Sequence, residues 1–424
     1  MFRRILITLA LSILLVTTAA YHYCSLPLFS ALVIVALSCI RHLHRDRWVV
    51  LRTHPCFPIR KLCQYMAIYR FAYRLDVAVA ALPAPLDATH PESYADAVSA
   101  LDDILSAADC PDTFQRKESN VLQIQRLAGN VCDLVDELYL REAVARCEEC
   151  ETIGNDNTGD KNRKKSSRAQ PLVLDIGAGK ALFTRTIYET LHRKVPCVAF
   201  DRRKQSEADV FYDPVDIVEE SSNDAINCNK KEQPQPYTRL VGDVGRLSSS
   251  RNLQPLHQSR GGGLVAVTKH LCGGATDTSL MALCRPPLSD YVGGACLAPC
   301  CHQKTRREQY CNLPYLQTLG LCRQHRGLRG AMQDADFRTL GLVISMSKAK
   351  SGLSTYRHDY KHSVLLQLLG FDRAAELGRK ARRVLEEGRA EYLRQHGFEA
   401  TIVRYCDGAV TSDNLAIIAK KKCF

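Results

Sequence analysis

From residue 171 onward, short apolar runs alternate with longer amphipathic stretches, the period-2 and period-3.6 signatures of strand and helix. Residues 172–176, 195–201, 238–244, 263–270 and 294–299 predict strands, with helices between them and the first beginning near Lys180. Two polar stretches, 218–236 and 248–263, predict surface insertions. A long helix rich in Arg and Glu is expected over 373–396. It is followed by an apolar run at 400–405, a turn through Asp407 and Gly408, and a second run at 414–419. Two final strands without an intervening helix must pair as an antiparallel hairpin.

Upstream the pattern is helical across 49–150. Leu101, Ile104 and Leu105 recur at helical spacing, as do Val121, Ile124, Leu127, Val131, Leu134, Val135 and Leu138. Pro83, Pro85 and Pro91 interrupt this region as linkers. Residues 151–170 are polar and mark a domain boundary; their cluster Lys161, Arg163, Lys164, Lys165 and Arg168 reads as a solvated linker. Residues 1–48 are a hydrophobic segment with apolar runs at 5–20 and 26–40. Arg3 and Arg4 before it, and Arg41, Arg45 and Arg47 after it, favour a membrane hairpin with both ends cytoplasmic. A single signal anchor and an extension that is not part of the working protein are the alternatives.

Composition narrows the partners. The 424 residues carry 57 Lys+Arg against 45 Asp+Glu, a surplus of +12 that suits nucleic acid or an anionic membrane surface. Nineteen cysteines fall inside apolar runs as often as in loops, which fits buried thiols rather than a disulfide scaffold. Cys147 and Cys150 form a lone CxxC without a second pair, so no metal site is expected.

The stretch PLVLDIGAGKALFTR carries the clearest chemistry. A strand runs into Asp175, turns on Gly177, Ala178 and Gly179, and enters a helix whose free N–H groups and small residues admit a cofactor closely. Asp201 ends the next strand, where a carboxylate can bind paired ribose hydroxyls, and Asp243 stands where one can accept from an adenine amino group. Together they predict an adenosine-containing cofactor. The terminal hairpin selects a class I methyltransferase, a Rossmann-like and mostly parallel α/β sheet, over a dinucleotide dehydrogenase. The cofactor expected is therefore S-adenosyl-L-methionine and not NAD.

Two further strand ends face the same crevice. VTKHLCGGATD carries Lys269 and His270, and LAPCCHQ carries Cys300, Cys301 and His302. Neighbouring strand residues point to opposite faces, which argues against zinc held by Cys300, Cys301 and His302. KHLCGGATD, the strand-terminal CCH and the loop GAGK resemble the eukaryotic tRNA 2′-O-methyltransferases that modify nucleotide 4 of the acceptor stem. The similarity runs from about Gly129 onward and includes Asp201, Arg202, Lys204, Asp209, Arg239, Asp243 and the run YLRQHGFEATIVRYCDGAVTSDN. The chain departs from that family where Gln303 follows His302, where Ala181 replaces the last loop glycine, and where no N-terminal zinc finger is visible.

The resemblance implies a SAM-dependent tRNA methyltransferase domain at 171–424, cytoplasmic or nuclear; the apolar segment 1–48 adds the expectation of a membrane anchor with the catalytic domain in the cytosol. A 2′-hydroxyl is a poor nucleophile and needs in-line placement and a proton acceptor. Lys269, His270, His302 and Cys301 are the candidate catalytic residues. His270 or His302 can take that proton, and Lys269 can stabilise the alkoxide. Cys301 belongs to the cluster facing the crevice, where packing or shaping the pocket wall is its alternative. Arg202, Arg203, Lys304, Arg306, Arg307 and residues 379–383 are the candidate phosphate contacts for tRNA; no protein partner is implied. The rival reading is a membrane-tethered RNA- or protein-binding module with an inactive methyltransferase fold. A methyltransferase acting on another RNA or on a protein is a third.

Overall fold

Strands rich in Val, Leu, Ile and Ala need cover on both faces when they pair in parallel. The computed structural model satisfies that need for the residues it describes: 57–106, 118–153, 171–203, 210–211, 237–247, 263–269, 271–322, 333–348 and 369–422. Nine strands form one sheet: β1 (Leu86–Asp87), β2 (Leu172–Ile176), β3 (Cys197–Asp201), β4 (Val210–Phe211), β5 (Thr238–Val241), β6 (Leu264–Thr268), β7 (Val292–Leu297), β8 (Phe398–Arg404) and β9 (Leu415–Lys421). Their order is β1-β8-β9-β7-β6-β2-β3-β5-β4. All pairings are parallel except those of β9, which lies antiparallel to both β7 and β8. The expected terminal hairpin is therefore present on an otherwise parallel sheet.

The period of two sorts each strand between two cores. Leu172, Leu174 and Ile176 join Phe200, Ala266 and Leu297 on the face covered by α5 (Gly274–Leu283) and α8 (Phe371–Gln395). Val173 joins Val265, Val267 and Cys296 on the other face. That face is covered by α2 (Tyr94–Ser106), α3 (Glu118–Ile153) and α4 (Leu182–Thr190), through Leu101, Ile104, Leu127, Val131 and Ile187. Each such side chain, once withdrawn from water, contributes about 1.5–3 kcal/mol. The remaining α-helices among the described residues are α1 (Phe57–Ala80), α6 (Leu313–Thr318) and α7 (Gln333–Ser345). The chain divides into two compact units, Met1–Tyr69 and Arg70–Phe424, and the sheet and its covering helices belong to the second.

Departures from expectation have local causes. Strand β3 starts at Cys197 and not at 195, because Pro196 has no N–H to enter a ladder. Helix α3 continues to Ile153, past the boundary expected at 151. Strands β1 and β4, two residues each, are too short to leave a periodic signal. The apolar runs within 1–48, most of the linker at 151–170 and most of both expected insertions lie outside the described residues. Among the described residues, no helix is long and apolar enough to cross a membrane.

Candidate active site

Strand β2 carries Asp175 on the same face as Val173, so the side chain points beneath α4 and is buried. Its Oδ2 accepts from the Thr184 hydroxyl at 2.7 Å. Burial pushes the carboxyl up to about 7, aided by the like charge of Asp201 and opposed by the Thr184 bond, Arg239 and Lys269. The chain then turns with φ of 79° at Gly177, 55° at Gly179 and 60° at Ala181. Ala181, in place of the third glycine, adopts the left-handed conformation, at about 1–2 kcal/mol of strain.

The turn is held from several sides. Gly177 and Ala178 N–H groups both donate to the Phe200 carbonyl, at 2.8 and 3.1 Å. Asp201 accepts from Gly179 N–H at 2.8 Å with one oxygen and from Arg203 N–H at 2.9 Å with the other. Arg239 donates to the Gly179 carbonyl at 2.8 Å. Thus Asp201, expected at a ribose, braces the loop through both carboxylate oxygens. Asp243 caps the short turn Val244–Arg246 by accepting from Gly245 N–H at 2.8 Å. A Cβ built on Gly179 meets nothing within 4 Å, so the space above that residue is open.

Lys269 continues the inward alternation of β6 beyond its last residue. It is largely buried, and burial lowers its ammonium to about 8 against the pull of Cys300 and Asp175. Leu271 places its Cδ1 3.0 Å from where a Gly177 Cβ would stand, so the segment after β6 touches the cofactor turn directly. Asp175, Lys269 and Cys300, from the ends of three adjacent strands, share one electrostatic neighbourhood. His270, the residue between Lys269 and Leu271, lies outside the described residues.

His302 is placed otherwise. Its imidazole is buried, with Nε2 2.8 Å from Glu386 Oε1 at an angle too poor for a well-directed hydrogen bond. Burial lowers its pKa, with Glu386 opposing, and the ring faces Glu386 on α8. The backbone of Cys301 explains the divergence. Its φ of 50° and ψ of 37° break strand alternation, so Cys301 joins Cys300 while His302 turns away. The Sγ atoms of Cys272, Cys300 and Cys301 all lie within 4.8 Å of one another. Adjacent cysteines do converge here, contrary to the strand-based argument.

Helix α8 corrects a second expectation. Arg382 and Arg383, expected at phosphates, are buried and paired internally, with Asp413 and Glu387 respectively. Arg389 is fully buried and grips Asp277 with two nitrogens, at 2.6 and 3.1 Å. Arg379, Arg202, Arg203, Lys304 and Arg306 remain exposed. Of these, Arg306 lines a cleft of about 460 Å³ together with Thr305, Arg307, Phe337 and Arg338. Sequence reasoning missed Thr184, Cys272, Asp277, Glu386 and Arg389 as site-building residues. Cys272 and Asp277 had a signal inside KHLCGGATD, Thr184 one inside PLVLDIGAGKALFTR, and Glu386 one in its i,i+4 spacing from Arg382; Arg389 had none.

A family model described as Methyltransferase TRM13 matches residues 157–420. Among curated relatives, the tRNA:m(4)X modification enzyme TRM13 of Vanderwaltozyma polyspora is 26% identical over 264 residues, 59% of this chain and 56% of that protein. Its namesake in Kluyveromyces lactis is 32% identical over 170 residues, 37% of this chain and 36% of its own length. In Saccharomyces cerevisiae the figure is 27% over 180 residues, 37% of each. The chain thus spans about half, or less, of the length of these relatives.

Proposed function

Because the chain belongs to the TRM13 methyltransferase family, we propose that it methylates a ribose 2′-hydroxyl at position 4 of the tRNA acceptor stem, using S-adenosyl-L-methionine. The observation that carries this reading is the shared neighbourhood of Asp175, Lys269 and Cys300 at the carboxyl edge of one sheet, where Leu271 of the loop after β6 also touches the turn at Gly177. Open parallel sheets bind ligands at that edge. The antiparallel β9 supports the class I methyltransferase architecture.

The residues present fit the cofactor. The left-handed turn leaves room over Gly179, and a buried carboxylate poised near neutrality at Asp175 suits a cofactor ammonium. Gly177, Ala178 and Gly179 would pass beneath it, with Asp201 at its ribose and Asp243 at its adenine. Bound there, S-adenosyl-L-methionine supplies an electrophilic sulfonium methyl.

The protein's part is to place the 2′-oxygen in line with that methyl and to take up its proton. Lys269 is assigned that proton: with its ammonium at about 8, a usable fraction is neutral amine at physiological pH. With the donor bound, the hydroxyl proton would pass to the Lys269 amine as the oxygen–carbon bond formed and the donor's sulfur–carbon bond broke, releasing a neutral thioether. General-base help of this kind is worth about 10²–10⁴-fold. His302 is a positioning residue, holding the CCH loop against Glu386 on α8. Duplex recognition would use phosphate and 2′-hydroxyl contacts from Arg202, Arg203, Lys304, Arg306 and Arg307, since the A-form major groove is too narrow for side chains.

The test is transfer of a labelled methyl group to tRNA, followed by alkaline hydrolysis, which spares a 2′-O-methylated linkage. The expected product is one alkali-stable dinucleotide at position 4. In wild type the rate should rise with pH through about 8, and in Lys269→Met it should be lower and lose that dependence. Methylation of base atoms, or of no RNA, overturns the assignment. A chain that fails to bind S-adenosyl-L-methionine in calorimetry would favour the inactive binding module.

A further inference from the structure

Three sulfur atoms from two different loops meet beside the candidate active site, and the methyl-transfer reading gives none of them a chemical step. The loops are zipped together at their backbones. Cys272 and Cys300 form an isolated parallel bridge, and Gly273 N–H donates to the Cys300 carbonyl at 3.1 Å. Gly273 makes this approach possible: its φ is 58°, and a Cβ there would lie 2.9 Å from Lys304 Cβ and 3.1 Å from the Lys304 carbonyl carbon. Cys301 contributes the third sulfur only by adopting a left-handed backbone that L-residues rarely take. Strain of this kind persists where the surroundings impose it, and here it directs a thiol toward two others.

The distances match a thiophilic ion. With metal–sulfur bonds of about 2.3 Å, tetrahedral geometry separates sulfur ligands by roughly 3.8 Å and trigonal geometry by roughly 4.0 Å. The observed Cys272–Cys300 separation is 3.4 Å, and the whole trio falls within 4.8 Å, so small side-chain rotations suffice. Three thiolates around a divalent ion leave one net negative charge. Lys304 acts on Cys272 and Lys269 on Cys300, so cations stand where that charge would be. Cys272 is exposed, which leaves a route for the ion and a side open to a fourth, solvent-derived ligand.

We propose that Cys272, Cys300 and Cys301 form a three-thiolate Zn²⁺ site that clamps the loop after β6 to the loop after β7. Both loops carry residues assigned to the reaction, so the ion fixes the distance between them. The site does not depend on the identity of the methyl acceptor, and its test is independent of methyl transfer.

The full chain, reduced and stripped with chelator, is titrated with ZnCl₂ alone, then alkylated with N-ethylmaleimide and read cysteine by cysteine by mass spectrometry. Zn²⁺ should slow alkylation of Cys272 by about tenfold or more, together with Cys300 and Cys301. Co²⁺ in its place should give a thiolate-to-metal charge-transfer band. Cys301→Ser should abolish the band and the protection of Cys272, whereas Cys406→Ser, at a buried cysteine outside the trio, should leave both. Because Cys301→Ser alters a strained position, Cys272→Ser at its exposed position is the second variant; it should remove protection of Cys300 and Cys301. Absence of Zn²⁺ protection in wild type overturns the proposal. So does protection that survives either trio variant, or a Cys272–Cys300 disulfide that forms where no Zn²⁺ binds.

Discussion

Asp175→Asn separates the stability of the fold from its capacity to hold a charged cofactor. Asparagine keeps the shape of the side chain and an oxygen for the Thr184 hydroxyl, but it cannot ionise. The folded carboxyl titrates at about 7, against an ordinary value of 3.8, because burial disfavours the anion. The folded state therefore binds more protons than the unfolded chain between about pH 4 and 7, and wild-type stability falls as pH rises through that window. The gap between 7 and 3.8, at about 1.36 kcal/mol per pH unit, corresponds to about 4 kcal/mol once the group is ionised in both states. Urea denaturation of both proteins from pH 4 to pH 8 measures it. The stability difference should widen in favour of Asp175→Asn by about 4 kcal/mol, or roughly 5 °C in Tm for a unit of this size. Calorimetry should show the opposite for function: loss of a charge-assisted hydrogen bond weakens S-adenosyl-L-methionine binding by about 10–100-fold. A difference that stays flat within about 1 kcal/mol across the window refutes the buried, near-neutral carboxylate.

Two further outcomes follow from the packing. Arg389→Met strands the Asp277 carboxylate in the core and should destabilise by about 3–5 kcal/mol in urea denaturation. Adding Asp277→Leu should recover most of that loss, and strictly additive effects would contradict the coupling. Gly273→Ala places a Cβ against Lys304 at a φ of 58° and should cost about 2–4 kcal/mol in the same assay. Gly397→Ala, at a φ of 84° with open space around it, should lose only the backbone component, about 1–2 kcal/mol, and equal losses would refute the clash.

Some of this architecture could be read from residue order alone. Leu172–Ile176 is legible to the residue because a parallel strand buried on both faces is a continuous apolar run bounded by Pro171 and Gly177. The terminal hairpin is legible because 405–414 holds no helical repeat. The basic helix was misread in part. Arg382, Arg383 and Arg389 count as positive charge in composition, yet Glu386 and Glu387, four residues beyond the first two, were available to signal internal pairing. Its contact with Asp277 joins positions 112 apart and leaves no local trace. The convergence of Cys300 with Cys301 was hidden for another reason: it depends on one left-handed residue, and no side-chain pattern announces φ at a cysteine.

Strand β9 sits between β7 and β8 and runs against both. Until residues 415–421 have left the ribosome, β7 lacks the neighbour on its outer side, and β8 has only its two-residue pairing with β1 among the described strands. Two open ladders must wait together during synthesis, each a template for pairing with another chain. Sheet closure is therefore a late step governed by distant pairings, which makes it slow. The nascent chain should depend on chaperones until that central strand arrives.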